Sequence, residues 1–422
     1  MINLSENRYY LCIDMKCFYA SVECAERSLN PFETNLVVAD PTRGKNALCL
    51  AISPRLKSLG VKNRCRISEI PKGISYITAM PRMKLYIDYC ADIYELYLNY
   101  FSSEDIHTYS IDESFIDVTN YLRIMKTDAV TLAKKLIDEI ADKLHIPATA
   151  GVGTNLYLAK AALDITAKHT PSHIGFLDEE KYRSTLWTHI PITDFWMVAS
   201  GTARRLKECG IFTMRDITEA PEELIYKLFG KNAELLIDHA YGKESCLISD
   251  IKNYRAKSKS VSLSQILPCD YTFSQSETVM KEMTLNGVRE LTKRKQIAGG
   301  ISIGIGYSNG TCDPDRARIR LEHSTALYSK ILPPVMSAFS KTAKRNIPIR
   351  RLGMSFGRIS SEESEGYDLF TDFEAVMKEK KRESAVLSLY EKFGKNSVLT
   401  GTDFLEFATQ RERNEMIGGH KA

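Results

Sequence analysis

Apolar positions along this chain are spaced in two ways. Residues 9–13 (Tyr-Tyr-Leu-Cys-Ile) form an unbroken apolar run of strand length that stops at Asp14. Between about 31 and 81 the runs are short and interrupted by Pro41, Gly44, Pro54, Gly60, Pro71 and Gly73. A helical pattern follows from about 83 to 101. Residues 107–118 hold two short apolar stretches around the acidic pair Asp112-Glu113, which predicts a β-hairpin. Ala133, Leu136, Ile137, Ile140, Ala141 and Leu144 recur at the spacing of an amphipathic helix. A strand over 148–152 precedes a helix from about 155 to 167. Strand, helix, hairpin, helix, strand is the split βαβ layout of a ferredoxin-like sheet.

From 171 to 242 the pattern is helical throughout, with stops at Gly201, Gly210, Gly230 and Gly242. Residues 250–260 are polar, basic and aperiodic, which predicts a linker. Beyond it, 261–267, 299–308, 316–321 and 348–358 read as strands with two helices between them, a second small α/β domain. The tail from Ser361 opens acidic (Glu362, Glu363, Glu365) and contains one helical stretch. The expectation is an α+β multidomain protein.

At 422 residues the chain exceeds what one core supports and predicts two to four domains. With 26% charged and 44% hydrophobic residues it is not largely disordered. No run approaches the roughly 18 to 20 apolar residues of a membrane span, and the polar start up to Arg8 shows no secretion signal. Ten cysteines without a CxxC or a Cys-His pair at zinc spacing read as reduced thiols of a cytoplasmic protein. The net charge of +4 hides a segregation. Residues 255–360 carry 18 Lys and Arg against 7 Asp and Glu, a net of +11, which leaves −7 for the rest. A basic module in a mildly acidic chain is a footprint for polyanions.

Asp14 ends a strand and Asp112-Glu113 cap a hairpin, and in a split βαβ sheet those strands can be neighbours. Three carboxylates meeting there would repel unless cations screened them, and hard oxygen donors of this kind suit Mg²⁺. Two such ions about 3.5 to 4 Å apart activate an attacking hydroxyl and stabilise a leaving pyrophosphate. Taken alone, an Asp-Glu pair at a turn is ordinary turn chemistry. Two glycine-rich stretches, at Gly151 and Gly153 and at Gly304 and Gly306, lack the third glycine of a dinucleotide fingerprint and read as structural.

Three blocks place the acids in context. They are Ile13-Asp14-Met15-Lys16-Cys17-Phe18-Tyr19-Ala20-Ser21, then Tyr109-Ser110-Ile111-Asp112-Glu113-Ser114-Phe115, then Ala150-Gly151-Val152-Gly153-Thr154-Asn155 with Ala159-Lys160-Ala161. In this order the chain resembles a Y-family (lesion-bypass, translesion) DNA polymerase over residues 9–358. Details including the closing stretch 417–422 are similar to the Gram-positive, phage- or plasmid-borne UV-damage repair branch. The resemblance implies that Asp14, Asp112 and Glu113 are the catalytic carboxylates. They would hold two Mg²⁺ ions with the Met15 carbonyl as a further ligand. Phe18 and Tyr19 match the aromatic pair under the incoming sugar, with Tyr19 as the steric gate against a ribose 2′-hydroxyl. Lys160 matches the lysine on the triphosphate.

Two departures from the family pattern stand out. Where many relatives hold the triphosphate with a tyrosine and an arginine, this chain has Pro54 and Lys57, with Ser53 or Arg55 as candidates to compensate. A Trp-Gly-Ile-Gly-like phosphate-gripping turn is replaced by Trp196-Met197-Val198-Ala199-Ser200-Gly201. Leu369 and Phe370, after Gly366-Tyr367-Asp368, are similar to the sliding-clamp-binding peptide of bacterial polymerases, without its leading glutamine; the alternative is packing against the tail helix.

The architecture implied is a right hand. A ferredoxin-like palm (1–17 and 83–171) carries small fingers (18–82), a helix-hairpin-helix-like thumb (172–245), a linker (246–255), an α/β little finger (256–360) and a C-terminal tail (361–422). The activity implied is low-fidelity, template-directed addition of dNTPs to a primer 3′-hydroxyl past damaged bases during DNA repair and the SOS response. The partners implied are primer–template DNA, the sliding clamp and an accessory SOS subunit, in the cytoplasm and away from membranes. The competing expectation is a catalytically weak or inactive relative that occupies DNA ends or the clamp.

Overall fold

The computed structural model describes residues 8–256, 259–308, 310, 312–369 and 371–421. The chain forms two compact units, Met1–Tyr254 and Arg255–Ala422. Among the described residues no helix is long and apolar enough to cross a membrane, and all ten cysteines are free.

The first unit is built on a five-stranded sheet. Its order is Ile106–Thr108, Glu113–Asp117, Tyr10–Met15, Ala148–Gly153, Ile174–Leu177. The middle strand Tyr10–Met15 is antiparallel to both neighbours. One face carries Leu11, Ile13 and Met15 into a core with the helices Met83–Leu98 and Ala129–Leu144. The second helix starts where Asp128 accepts hydrogen bonds from the N–H groups of Val130 and Thr131. The other face carries Tyr10 and Cys12 against Leu156, Ala159 and Leu163.

Glycine decides how closely that second layer approaches. A Cβ at Gly151 would lie 2.1 Å from the Ala159 carbonyl oxygen, and one at Gly153 would lie 2.1 Å from the Ala159 nitrogen. The glycine-rich stretch is therefore a seat for a helix backbone on a strand backbone. Gly175 does the same for the turn after that helix, where a Cβ would meet the Ala162 carbonyl at 2.5 Å. This corrects the reading of 171–242 as wholly helical. Ile174–Leu177 is an edge strand parallel to Ala148–Gly153, too short and glycine-interrupted to show a period of two.

The expected linker 246–255 also needs correction, because Ile248–Asn253 is a helix. Ile248 is buried under the sheet with Tyr10, Cys12 and Phe115, and Ile251 packs beside it. Two isolated apolar residues in a polar stretch carry no visible periodicity, yet they suffice to dock one turn and a half.

Residues 18–82 have only a small core of their own and share the rest with the main core. The helix Phe18–Ala25 and the inner face of a three-stranded sheet (Ala51–Ile52, Leu36–Val38, Ile77–Ala79) share the main core through Phe18, Val22, Leu36, Val38 and Ala79. The outer face has a small cluster around Val37, Ile52, Leu56 and Val61. The helices Ser200–Lys207, Met214–Glu219, Glu222–Phe229 and Asn232–Ala240 pack around Tyr157, Tyr182, Phe195 and Leu206.

The second unit has an antiparallel four-stranded sheet in the order Asp315–Thr325, Gln296–Tyr307, Ile349–Ser361, Val261–Tyr271. Ile301, Ile303, Ile305, Leu352, Met354 and Phe356 face the helices Phe273–Lys293 and Tyr328–Thr342. Gly287 makes room in the first helix for the Phe356 ring, 1.9 Å from where a Cβ would be. The C-terminal region is a built-in layer, which corrects its reading as a tail. Phe373–Phe393 brings Glu383 to Arg289 (3.1 Å, both side chains under 10% exposed). The Glu282 carboxylate accepts from the Thr409 N–H and hydroxyl and from the Gln410 N–H. Both acceptor and donor charges sit on the back of Phe273–Lys293. Buried ions need partners, and the C-terminal segment supplies them.

Candidate active site

Asp14 stands near the end of the middle strand, with Glu113 directly opposite it in register on the neighbouring strand. Asp112 precedes Glu113 at the hairpin turn, where its carbonyl accepts from the Met15 N–H (2.9 Å). The turn is closed by the N–H groups of Tyr109 and Ser110 donating to the Glu113 carbonyl. The Ser110 hydroxyl donates to Asp112 Oδ1 at 2.5 Å. The sheet thus brings three carboxylates to one corner, as the sequence predicts. Burial, then the charges of Asp112 and Glu113, push the Asp14 carboxyl up to about 7.

Lys160 partly offsets that charge. Its ammonium lies 2.7 Å from Glu113 Oε1 and 3.0 Å from Asp164, delivered there by the helix that rests on Gly151 and Gly153. Burial pulls the ammonium down, but Cys12, Glu113 and Asp164 outweigh it and hold it above its ordinary value. Because burial keeps Cys12 a thiol, the attraction that matters comes from the two carboxylates. The Cys12 thiol donates to the same Glu113 oxygen at 3.0 Å.

Among the described residues no three His, Cys, Asp or Glu side chains already close around a point where a metal would sit. Glu113 is engaged by Lys160 instead. The donors nonetheless suit a hard divalent cation: crowded carboxylate oxygens plus a backbone carbonyl, one carboxyl of which is driven toward neutrality for want of positive charge. Beside them the completely buried Tyr97 hydroxyl has no hydrogen-bond partner and its ionisation is disfavoured first by burial and also by the Asp14 charge.

Phe18 and Tyr19 open the helix after this strand. Cys17 turns the chain with φ 50°, and no side chain caps the first turn. Phe18 is buried in the core. Tyr19 is half-buried and lies flat on Tyr86. Its hydroxyl is shifted up by burial and then by Asp112, which puts its ring beside the acidic corner. Tyr86 donates to Glu23 (2.8 Å), which also accepts two bonds from Arg82 and one from Arg27. Burial would raise Glu23, but these donors outweigh it and hold the carboxyl low.

Lys57 is exposed on the short helix Pro54–Ser58, and its charge reaches Lys16 and Cys17. Ser53 does not compensate for the missing tyrosine. Its buried hydroxyl donates to the Thr34 carbonyl (2.7 Å) and caps the helix at Leu56. Trp196 donates to the Tyr109 hydroxyl at 3.1 Å, linking the altered turn to the acidic hairpin. Met197 keeps φ 66°, a left-handed conformation suited to the glycine it replaces and strained by about 1 kcal/mol without it. Leu369 is fully exposed; Phe370 lies outside the described residues.

The second unit presents a surface that the sequence announced only as net charge. On one face of the sheet, Gly300, Ser302 and Gly304 lie in register with Arg320, Arg318 and Arg316 on one side and with Gly357, Ser355 and Gly353 on the other. Ser262 and Ser264 extend the rows. The floor is almost bare main chain, with three exposed arginines along its edge. The residues that sequence reasoning missed are Lys16, Cys12 and Tyr86. Only the block containing Lys16 hinted at any of them.

A family model described as the impB/mucB/samB family matches residues 13–164, and one described as its C-terminal domain matches 258–369. UvrX of Bacillus subtilis (strain 168), named for UV-damage repair, is 30% identical with 100% of both chains covered. A DNA polymerase IV 2 of the same organism is 27% identical over 99% of this chain and 100% of its own. A solved Y-family DNA polymerase chimera shares the fold, with a TM-score of 0.65 at 23% identity over 83% of this chain and 99% of its own.

Proposed function

The chain belongs to the impB/mucB/samB family of Y-family DNA polymerases, and from that premise we propose that it extends a primer by template-directed addition of deoxynucleotides, with low fidelity and past damaged bases. The observation that carries this reading is the corner where Asp14 and Glu113 pair in register, Asp112 adjoins them and Tyr19 stands beside them.

Asp14, Asp112, Glu113 and the Met15 carbonyl would hold two Mg²⁺ ions. When bound, such ions lower the pKa of the attacking hydroxyl and neutralise charge on the departing pyrophosphate. The protein's own groups do the rest. Lys160, freed from Glu113, offers its ammonium to phosphate. Tyr19 fills the space of a ribose 2′-hydroxyl, and Tyr86 keeps its ring from retreating. The bare floor and arginine edge of the second unit hold duplex backbone by charge. Small fingers that share the palm's core check base-pair shape loosely, which admits damaged templates. Leu369 and Phe370 would bind the sliding clamp, and the setting is the SOS response with its accessory subunit.

Primer extension by purified full-length protein tests the reading. Asp112→Ala with Glu113→Ala should abolish extension while leaving the fold intact. Extension by that double variant would remove the site assignment. Leu369→Ala with Phe370→Ala should lose clamp-stimulated synthesis alone.

A further inference from the structure

Resting on the polymerase reading, we propose that Lys16 is a second anchor for the triphosphate of the incoming nucleotide, acting with Lys57 in place of the tyrosine and arginine that this chain lacks. Lys16 sits between the metal-binding corner and the gate helix, immediately after Met15. Its backbone is pinned on both sides: its N–H donates to the Pro147 carbonyl (2.8 Å), and its carbonyl accepts from the Ser21 hydroxyl (2.6 Å). The side chain does not reach out to solvent. It is half-buried, with Nζ 2.9 Å from His173 Nδ1 and 5.9 Å from the centre of the Phe32 ring.

Among the described residues no carboxylate comes within ion-pair distance of Lys16 or of Lys57. The Lys57 ammonium is exposed, whereas that of Lys16 is held half-buried against His173 without a counter-ion, a position that an anion would satisfy. The uncapped first turn of Phe18–Ala25, turned by Cys17 at φ 50°, adds free backbone N–H groups in the same place. Next to a carboxylate corner, open N–H groups and the Lys16 cation, which has no counter-ion, are complementary to a polyphosphate, whose far phosphates lie away from the reacting one. Lysine offers a point charge without a fork, so two lysines are a reasonable substitute for one arginine.

The test measures nucleotide binding without chemistry. Full-length protein is bound to a dideoxy-terminated primer–template in Ca²⁺, and fluorescent methylanthraniloyl-dATP is titrated opposite template T. Lys16→Gln should weaken nucleotide binding about ten- to a hundredfold, as expected for losing one charge-assisted contact. Lys16→Arg should restore most of it. Inorganic tripolyphosphate should displace the nucleotide from wild type and compete less well in Lys16→Gln, while the affinity for primer–template alone stays within about twofold. Equal nucleotide and tripolyphosphate affinities in wild type and Lys16→Gln would overturn the proposal alone. A wild type that holds the primer–template yet takes up no nucleotide would overturn the polymerase reading and this proposal with it.

Discussion

The ring of Tyr19 lies flat on that of Tyr86, with centroids 4.4 Å apart and planes 16° from parallel. Tyr86 is itself fixed by Glu23, which Arg82 and Arg27 hold ionised. In the proposed role of gate, a ring backed in this way would not yield to an extra hydroxyl. Overpacking of that kind costs about 1 to 3 kcal/mol, or roughly ten- to a hundredfold in rate. Tyr19→Ala should raise ribonucleotide insertion by that factor relative to dNTP insertion. The ratio of kcat/KM for ATP and dATP opposite template T checks it, and an unchanged ratio would exclude Tyr19 as the gate.

The acidic corner should show itself in the pH dependence of stability. Asp14 is pushed up to about 7 from an ordinary 3.8, so the folded chain binds a proton more tightly than the unfolded one. The associated stability is complete below about pH 4 and is lost as pH rises to about 7. In EDTA, Asp14→Asn should therefore gain on wild type across that window, by at most about 4 kcal/mol. Added Mg²⁺ should narrow the gap, because only wild type keeps its ligand. Parallel urea-melt stabilities of the two proteins from pH 5 to pH 8 would rule out the crowding.

Arg289 and Glu383 form a buried pair in the second unit, and Tyr390 accepts a further bond from Arg289. Glu383→Ala leaves a buried guanidinium without its counter-ion and should cost about 3 kcal/mol or more. Denaturant titration should show a lower midpoint with little change in slope. A neutral outcome would mean that the C-terminal layer is not held by this pair.

The arginine edge makes a quantitative claim about salt. Each phosphate neutralised contributes about 0.9 to the slope of log affinity against log salt. Replacing Arg316, Arg318 and Arg320 together with Ala should reduce that slope by about 3 and weaken binding uniformly across sequences. Electrophoretic or anisotropy titrations at several salt concentrations measure both quantities. An unchanged slope would move the duplex off this face.

The acidic corner and the position of Tyr19 beside it were legible because each lies within a short block of sequence: Asp14 five residues before Tyr19, Asp112 next to Glu113. What escaped depends on distant partners. Lys16 resembles any surface lysine until His173 is beside it. Ile174–Leu177 is a strand only because Gly175 lets a helix lie against it. Ile248 and Ile251 make a docking turn of what reads as linker, and Glu383 and Thr409 tie down what reads as tail. Ser53 offers a hydroxyl in sequence, whereas the fold has already used it.

The glycine rows of the second unit have a different consequence. A Cβ at Gly304 or Gly357 would meet nothing within 4 Å, so an alanine there would be silent to the folded protein while raising a bump on an otherwise level floor. Such a floor would show the same peptide groups to every base pair laid across it. With the duplex proposed to lie on it, it would have no vocabulary for sequence and would register only the contour of a sugar–phosphate backbone, a property indifferent to whether the bases between the strands are intact.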